Sequence, residues 1–165
     1  MGKKAYSILL LLCLVLGLLS GCGSGKGSGG VDPVTLGKTM AEGVKDLPEM
    51  ETITAKDDRG QELFPYLSDL DYGKVEDYYF SYAKAGTAQE IAAIRLRSAG
   101  DAQEAKASLE RHVQQRLGVF RVYDPSQAAL AENAKILVSG NMVALVMCQD
   151  PAPAEAAFRS ALSGT

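Results

Sequence analysis

An apolar run from Ile8 to Leu19 opens the chain, with Lys3 and Lys4 before it and Ser20-Gly21-Cys22 after it. A helix that crosses a membrane needs about 20 apolar residues to span roughly 30 Å of hydrocarbon, and this run is shorter. The order of positive, apolar and small residues is instead that of a targeting segment removed on export. Gly23 to Gly30 then carries little but glycine and serine around Lys26, a composition that behaves as a flexible coil.

Beyond Asp32 the pattern becomes periodic. Leu36, Met40, Val44 and Leu47 recur at helical spacing, which predicts a helix with one apolar stripe that ends before Pro48. Asp-Pro pairs at Asp32, Asp124 and Asp150 each predict a helix start. Aspartate accepts from the orphan N–H groups of a first turn, and proline at the first position gives up no hydrogen bond. Asp101 and Glu104 have capping-box spacing, and Ala105, Leu109, Val113 and Leu117 continue from them as one face, with Gly118 as the expected end or bend. Ala128, Leu130 and Ala131 make the helix after Asp124-Pro125 small and apolar. A last helix from Pro153 to Leu162 is expected to bury Ala154, Ala157, Phe158, Ala161 and Leu162.

Strand patterns come in two pairs. Residues 76–84 and 89–97 flank Gly86-Thr87, with Ile91, Ala93 and Arg95 predicted on one face and Ala92, Ile94 and Leu96 on the other. Residues 135–139 and 142–148 flank Gly140-Asn141, a two-residue connection that suits a type II′ hairpin with positive φ at glycine. Residues 142–148 are apolar at every position, which predicts a strand covered on both faces. Residues 52–55 suit a short edge strand. The order αββααββα predicts an α+β fold: one small domain over residues 32–165, with a roughly four-stranded antiparallel sheet built from two hairpins and packed against helices.

Charge and cysteine narrow the function. The net charge is −3, falling to about −5 if Lys3 and Lys4 leave with a signal over residues 1–21. Such a balance disfavours nucleic acid and direct adhesion to anionic lipid, which both select clustered Lys and Arg. Of the three cysteines, Cys13 lies in the apolar run and Cys22 directly follows the small pair. Cys148 therefore stands alone in the folded part, which excludes an internal disulfide, a cysteine zinc site and a paired redox motif.

Leu19-Ser20-Gly21-Cys22 resembles a bacterial lipobox. On that reading the Cys22 thiol carries a diacylglyceryl group through a thioether, and residues 22–31 are a lipidated tether. One acyl chain binds membranes marginally, whereas two chains at about 0.8 kcal/mol per buried methylene hold stably. The expectation is a lipid-anchored domain at the extracytoplasmic face of the cell membrane, with the membrane as partner through Cys22.

Candidate chemistry is sparse. His112, the only histidine, lies on the helix opened by Asp101 near the edge of its apolar stripe. It can serve as a general base, but no serine or cysteine nucleophile stands around it in a recognisable motif, so a boundary or surface position is the expectation. Cys148 ends an all-apolar strand, where cysteine behaves as a small hydrophobe. Asp57, Asp58, Asp69, Asp71, Glu76 and Asp77 are oxygen donors suited to calcium, but Asp69-Leu70-Asp71-Tyr72-Gly73 lacks the EF-hand spacing, and solvated loop acids are the expected role. No cofactor or metal is expected. Tyr66, Tyr72, Tyr78, Tyr79 and Tyr82 concentrate in one region; tyrosine offers large area with a polar tip, so whichever of Tyr78, Tyr79 and Tyr82 faces outward is the candidate binding surface for an envelope protein or glycan.

Four segments carry a family likeness: residues 88–96, 109–113, 119–125 and 138–145. In this order and behind a lipobox, they resemble a family of bacterial lipoproteins known as domain of unknown function 4358, found mainly in Gram-positive anaerobes. The resemblance spans Asp32 to Leu162 and departs at Met142, where an aromatic residue is expected, and in the polar stretch from Lys56 to Glu62. It implies an extracytoplasmic lipoprotein and brings no activity or catalytic residue. The expected function is thus a non-enzymatic binding or accessory module at the envelope. The alternatives are an envelope hydrolase or transferase using His112 and nearby acids, and a small solute-binding lipoprotein.

Overall fold

Residues 142–148 are buried at every position, because helices cover both faces of the sheet that this strand joins. The computed structural model describes residues 30–163; the signal segment and most of the tether, Cys22 included, lie outside them. Within that range run α1 (Pro33–Gly43), β1 (Met50–Thr54), a single turn α2 (Gly60–Leu63), β2 (Val75–Ala83), β3 (Glu90–Leu96), α3 (Ala102–Tyr123), α4 (Pro125–Glu132), β4 (Lys135–Ser139), β5 (Met142–Met147) and α5 (Ala152–Leu162).

The five strands form one antiparallel sheet in the order β1-β2-β3-β5-β4. The count exceeds the expected four because β1 pairs along β2, from Met50 opposite Ala83 to Thr54 opposite Tyr79. Its alternation is faint, since only Ile53 is buried. The β4–β5 turn follows expectation: Gly140 takes φ +56° and Asn141 keeps a negative φ, the combination of a type II′ turn.

Alternation divides the strand residues between two cores. On one face Tyr78, Phe80, Ala92, Ile94, Val143 and Leu145 pack under α3, α4 and the α2 region. On the other, Tyr79, Ile91, Ala93, Ala144, Val146 and Cys148 meet Leu36 and Met40 of α1 and Ala154, Phe158 and Leu162 of α5.

Three helix details differ from the sequence reading. Gly118 does not end α3, which runs 22 residues to Tyr123. Buried Leu117 and Phe120 hold the helix past it, and glycine costs a helix only about 1 kcal/mol. Asp101 makes no capping hydrogen bond at the start of α3; with Glu104 it holds Lys74 instead. Ala161 is exposed, because α5 turns only Ala154, Phe158 and Leu162 fully inward. The Asp-Pro starts do behave as read at Asp32, which accepts from Thr35 N at 2.8 Å, and at Asp124, which accepts from Ser126 N and Gln127 N.

The sheet has two distinct ends. At one, Val75, Leu96 and Met142 lie beside the Gly140-Asn141 turn. There the chain enters the domain, with Arg95 Nη1 donating to Val31 O at 3.3 Å. At the other end lie Met50, Ala83, Glu90 and Met147.

Candidate functional site

Glu90 begins β3 on the same face as Ala92 and Ile94, so a carboxylate points into the core beneath α3 and is only 2% exposed. A buried charge is tolerated only when paired, and α3 supplies two partners one turn apart. His112 Nε2 lies 2.5 Å from Glu90 Oε2, and Arg116 Nε lies 2.8 Å from Oε1. Arg116 is fixed further by Nη2 donating to Thr87 O at 2.8 Å and by its guanidinium carbon lying 4.7 Å from the Phe120 ring centroid. The edge of the His112 ring meets Phe80, centroids 6.5 Å apart.

This triad lines an open groove of about 490 Å³ together with Phe80 and Tyr82 of β2 and with Arg59, Leu63 and Tyr66 in and beside α2. Glu51 and Lys84 stand on its rim. Burial, then the nearby Glu51 carboxylate, pushes the Tyr82 phenol above its usual range. The outer rim cations have partners: Lys84 pairs with Glu49 at 2.8 Å and Arg59 with Glu62 at 2.7 Å. Among the described residues no serine, threonine or cysteine lines the groove.

The residues singled out from sequence fall as follows. His112 is buried, 8% exposed, rather than a boundary or surface residue, because Glu90 draws it inward. Tyr78 and Tyr79 are both buried, one in each core, so neither offers side-chain surface. Tyr78 donates to Gly60 O at 2.6 Å. Tyr82 is half-buried and alone of the three lines the groove.

Burial pushes the Cys148 thiol up to about 11, on the face of the sheet away from the groove. The acids disperse. Arg111 forks onto Asp69 at 2.7 and 2.8 Å, and Asp71 accepts from Gly73 N. Asp57 accepts from Thr54, and Asp77 from Tyr78 N. Among the described residues no three His, Cys, Asp or Glu side chains gather as a metal site.

Glu90 and Arg116 were missed in the sequence, although both leave a trace there. Glu90 shares its alternation with Ala92, Ile94 and Leu96, and Arg116 follows His112 by one helical turn. A charge in register with a core face is a signal to seek its partner.

Sheet, helix layers and groove define a small α+β domain with an ion-lined cleft at one end. The chain belongs to the family described as domain of unknown function 4358, whose model matches residues 50–148, more than half of its length. The match covers all five strands and α2 to α4 and leaves α1 and α5 outside it. No curated protein and no solved structure matches the chain.

Proposed function

We propose that this chain is a lipid-anchored extracytoplasmic lipoprotein whose domain is a non-enzymatic binding or accessory module at the cell envelope. The observation that carries this reading is the polarity of the domain. The lipobox and tether lead to Val31, held by Arg95 at one end of β3, while the groove gathers around Glu90 at the other end. Arg95 lies five residue steps along the strand from Glu90, about 17 Å at 3.3–3.4 Å per residue. An anchor on Cys22 then attaches at the end of β3 opposite the groove.

Binding is favoured over turnover because His112 is engaged by Glu90 and, among the described residues, no hydroxyl of serine or threonine and no thiol lines the groove. Radiolabelled palmitate feeding and detergent partitioning test the anchor. Label and partitioning into the detergent phase are expected for the native chain and lost in Cys22→Ser; an unlabelled native chain, or a variant that partitions unchanged, overturns the anchor.

The 2.5 Å His112–Glu90 pair is the one feature that favours a hydrolase or transferase instead. His112→Ala with full retention of cellular phenotype would end that second reading.

A further inference from the structure

Resting on the binding reading above, we propose that the groove takes a single acidic side chain or terminal carboxylate of a polypeptide, flanked by apolar residues. Arg116 is the anchor. Glu90, Thr87 O and the Phe120 ring fix the plane of its guanidinium, and the side chain is still 27% exposed. Arginine carries five N–H donors; Nη2 donates to Thr87 O, Nε is buried beside Glu90, and the side chain lines the groove. A pre-set guanidinium fork matches the two oxygens of a carboxylate.

Arg59 and Lys84 add positive charge from two other elements. Their partners Glu62 and Glu49 are exposed, and such surface pairs exchange readily for another anion. The rim also limits how much negative charge is welcome. Glu51 stands on it, and the chain as a whole is acidic at −3, which repels a polyanion more than an isolated acid.

The apolar half of the match lies on α3. His112, Arg116, Val119 and Tyr123 follow one another at helical spacing and share a face. Val119 is 50% and Tyr123 82% exposed, so this face continues past the groove as an uncovered apolar ridge. Tyr66, 69% exposed, also lines the groove, from the turn that follows α2. An acid seated on Arg116 places its neighbours against these side chains.

The test uses the full lipidated chain in detergent micelles and follows its amide resonances. The probes are acetyl-Leu-Phe-Asp-Phe-Leu-amide, its Asn counterpart and inorganic phosphate. The Asp peptide is expected to shift amides in segments 82–88 and 112–123 and to bind at least tenfold more tightly than the Asn peptide. Arg116→Lys should weaken it at least tenfold. The exposed variants Lys84→Gln and Tyr123→Ser, which leave the core intact, should each weaken it several-fold.

Equal affinity for the Asp and Asn peptides at these amides overturns the acid preference and leaves the groove as a binding site. Phosphate displacing the Asp peptide at equal concentration overturns the polypeptide commitment. Unshifted amides with all three probes count against the groove itself, and so against the binding reading.

Discussion

Two glycines show how one residue type has opposite meanings in different surroundings. A Cβ built on Gly37 would lie 2.2 Å from Cδ1 of buried Tyr79, so α1 sits this close to the sheet only because that atom is missing. Gly37→Ala is expected to cost about 1–3 kcal/mol through overpacking, against a helix gain of about 1 kcal/mol. Gly118 has nothing within 4 Å, so Gly118→Ala should stabilise by up to about 1 kcal/mol. Urea midpoints moving in opposite directions for the two variants are the expected result; a shift in the same direction contradicts this account of α1.

Asp69 gives a pH signature at the same scale. Hydrogen bonds from Arg111 and then Ser108 hold its carboxyl at about 2, below the roughly 3.9 of an unfolded chain. A depressed folded value means that the stabilisation is complete above the unfolded value and fades as pH falls from about 4 towards 2. Native and Asp69→Asn chains should therefore differ in urea midpoint at pH 6 and converge near pH 2. A constant difference across that range would show that Asp69 does not act through its charge.

Between elements, the Glu90 triad ties β3 to α3, and the same charges that line the groove also join two layers. Removing one member of a buried ion group leaves the others uncompensated, a loss of about 3–5 kcal/mol. Arg116 is partly exposed, so the lower end, about 3 kcal/mol, is expected for Glu90→Gln by urea unfolding. Replacing Glu90, His112 and Arg116 together by leucine, leucine and methionine should recover most of that stability, because apolar packing often equals a buried ion group. A triple variant as unstable as Glu90→Gln would assign the triad a stabilising role rather than a binding one.

The element scale is also where the sequence was most legible. Helix starts at Asp32 and Asp124, the alternation of β3 and the all-apolar β5 could be read because each rests on neighbours within one segment. Three things could not, since each depends on a partner far along the chain. The pairing of β1 hangs on β2 from Met50 to Thr54. The diversion of Asp101 from cap to ion pair needs Lys74. The inward turn of His112 needs Glu90, 22 residues earlier.

For the whole molecule, the proposed anchor and the groove make an orientation that can be measured. The described chain begins beside the Arg95 end of the sheet, where Val31 O accepts from Arg95. Ala99 is exposed shortly after that end, and Ala85 is exposed in the turn beside the groove. Burial pushes the Cys148 thiol up to about 11, and Cys22 is consumed by lipid on this reading, so a cysteine introduced at either site is the one labelled near pH 7. Headgroup nitroxide lipids should then quench a fluorophore on Ala99→Cys more than one on Ala85→Cys. Deleting residues 24–29 should sharpen the contrast, because it draws the near end to the headgroups while about 17 Å of strand still separates the groove from them. The acidic domain gains nothing from lying on an anionic surface, so adding anionic lipid should leave the Ala85→Cys signal low. Equal quenching at the two sites would mean that the domain rests on its side, with the groove against the membrane and closed to a partner from outside.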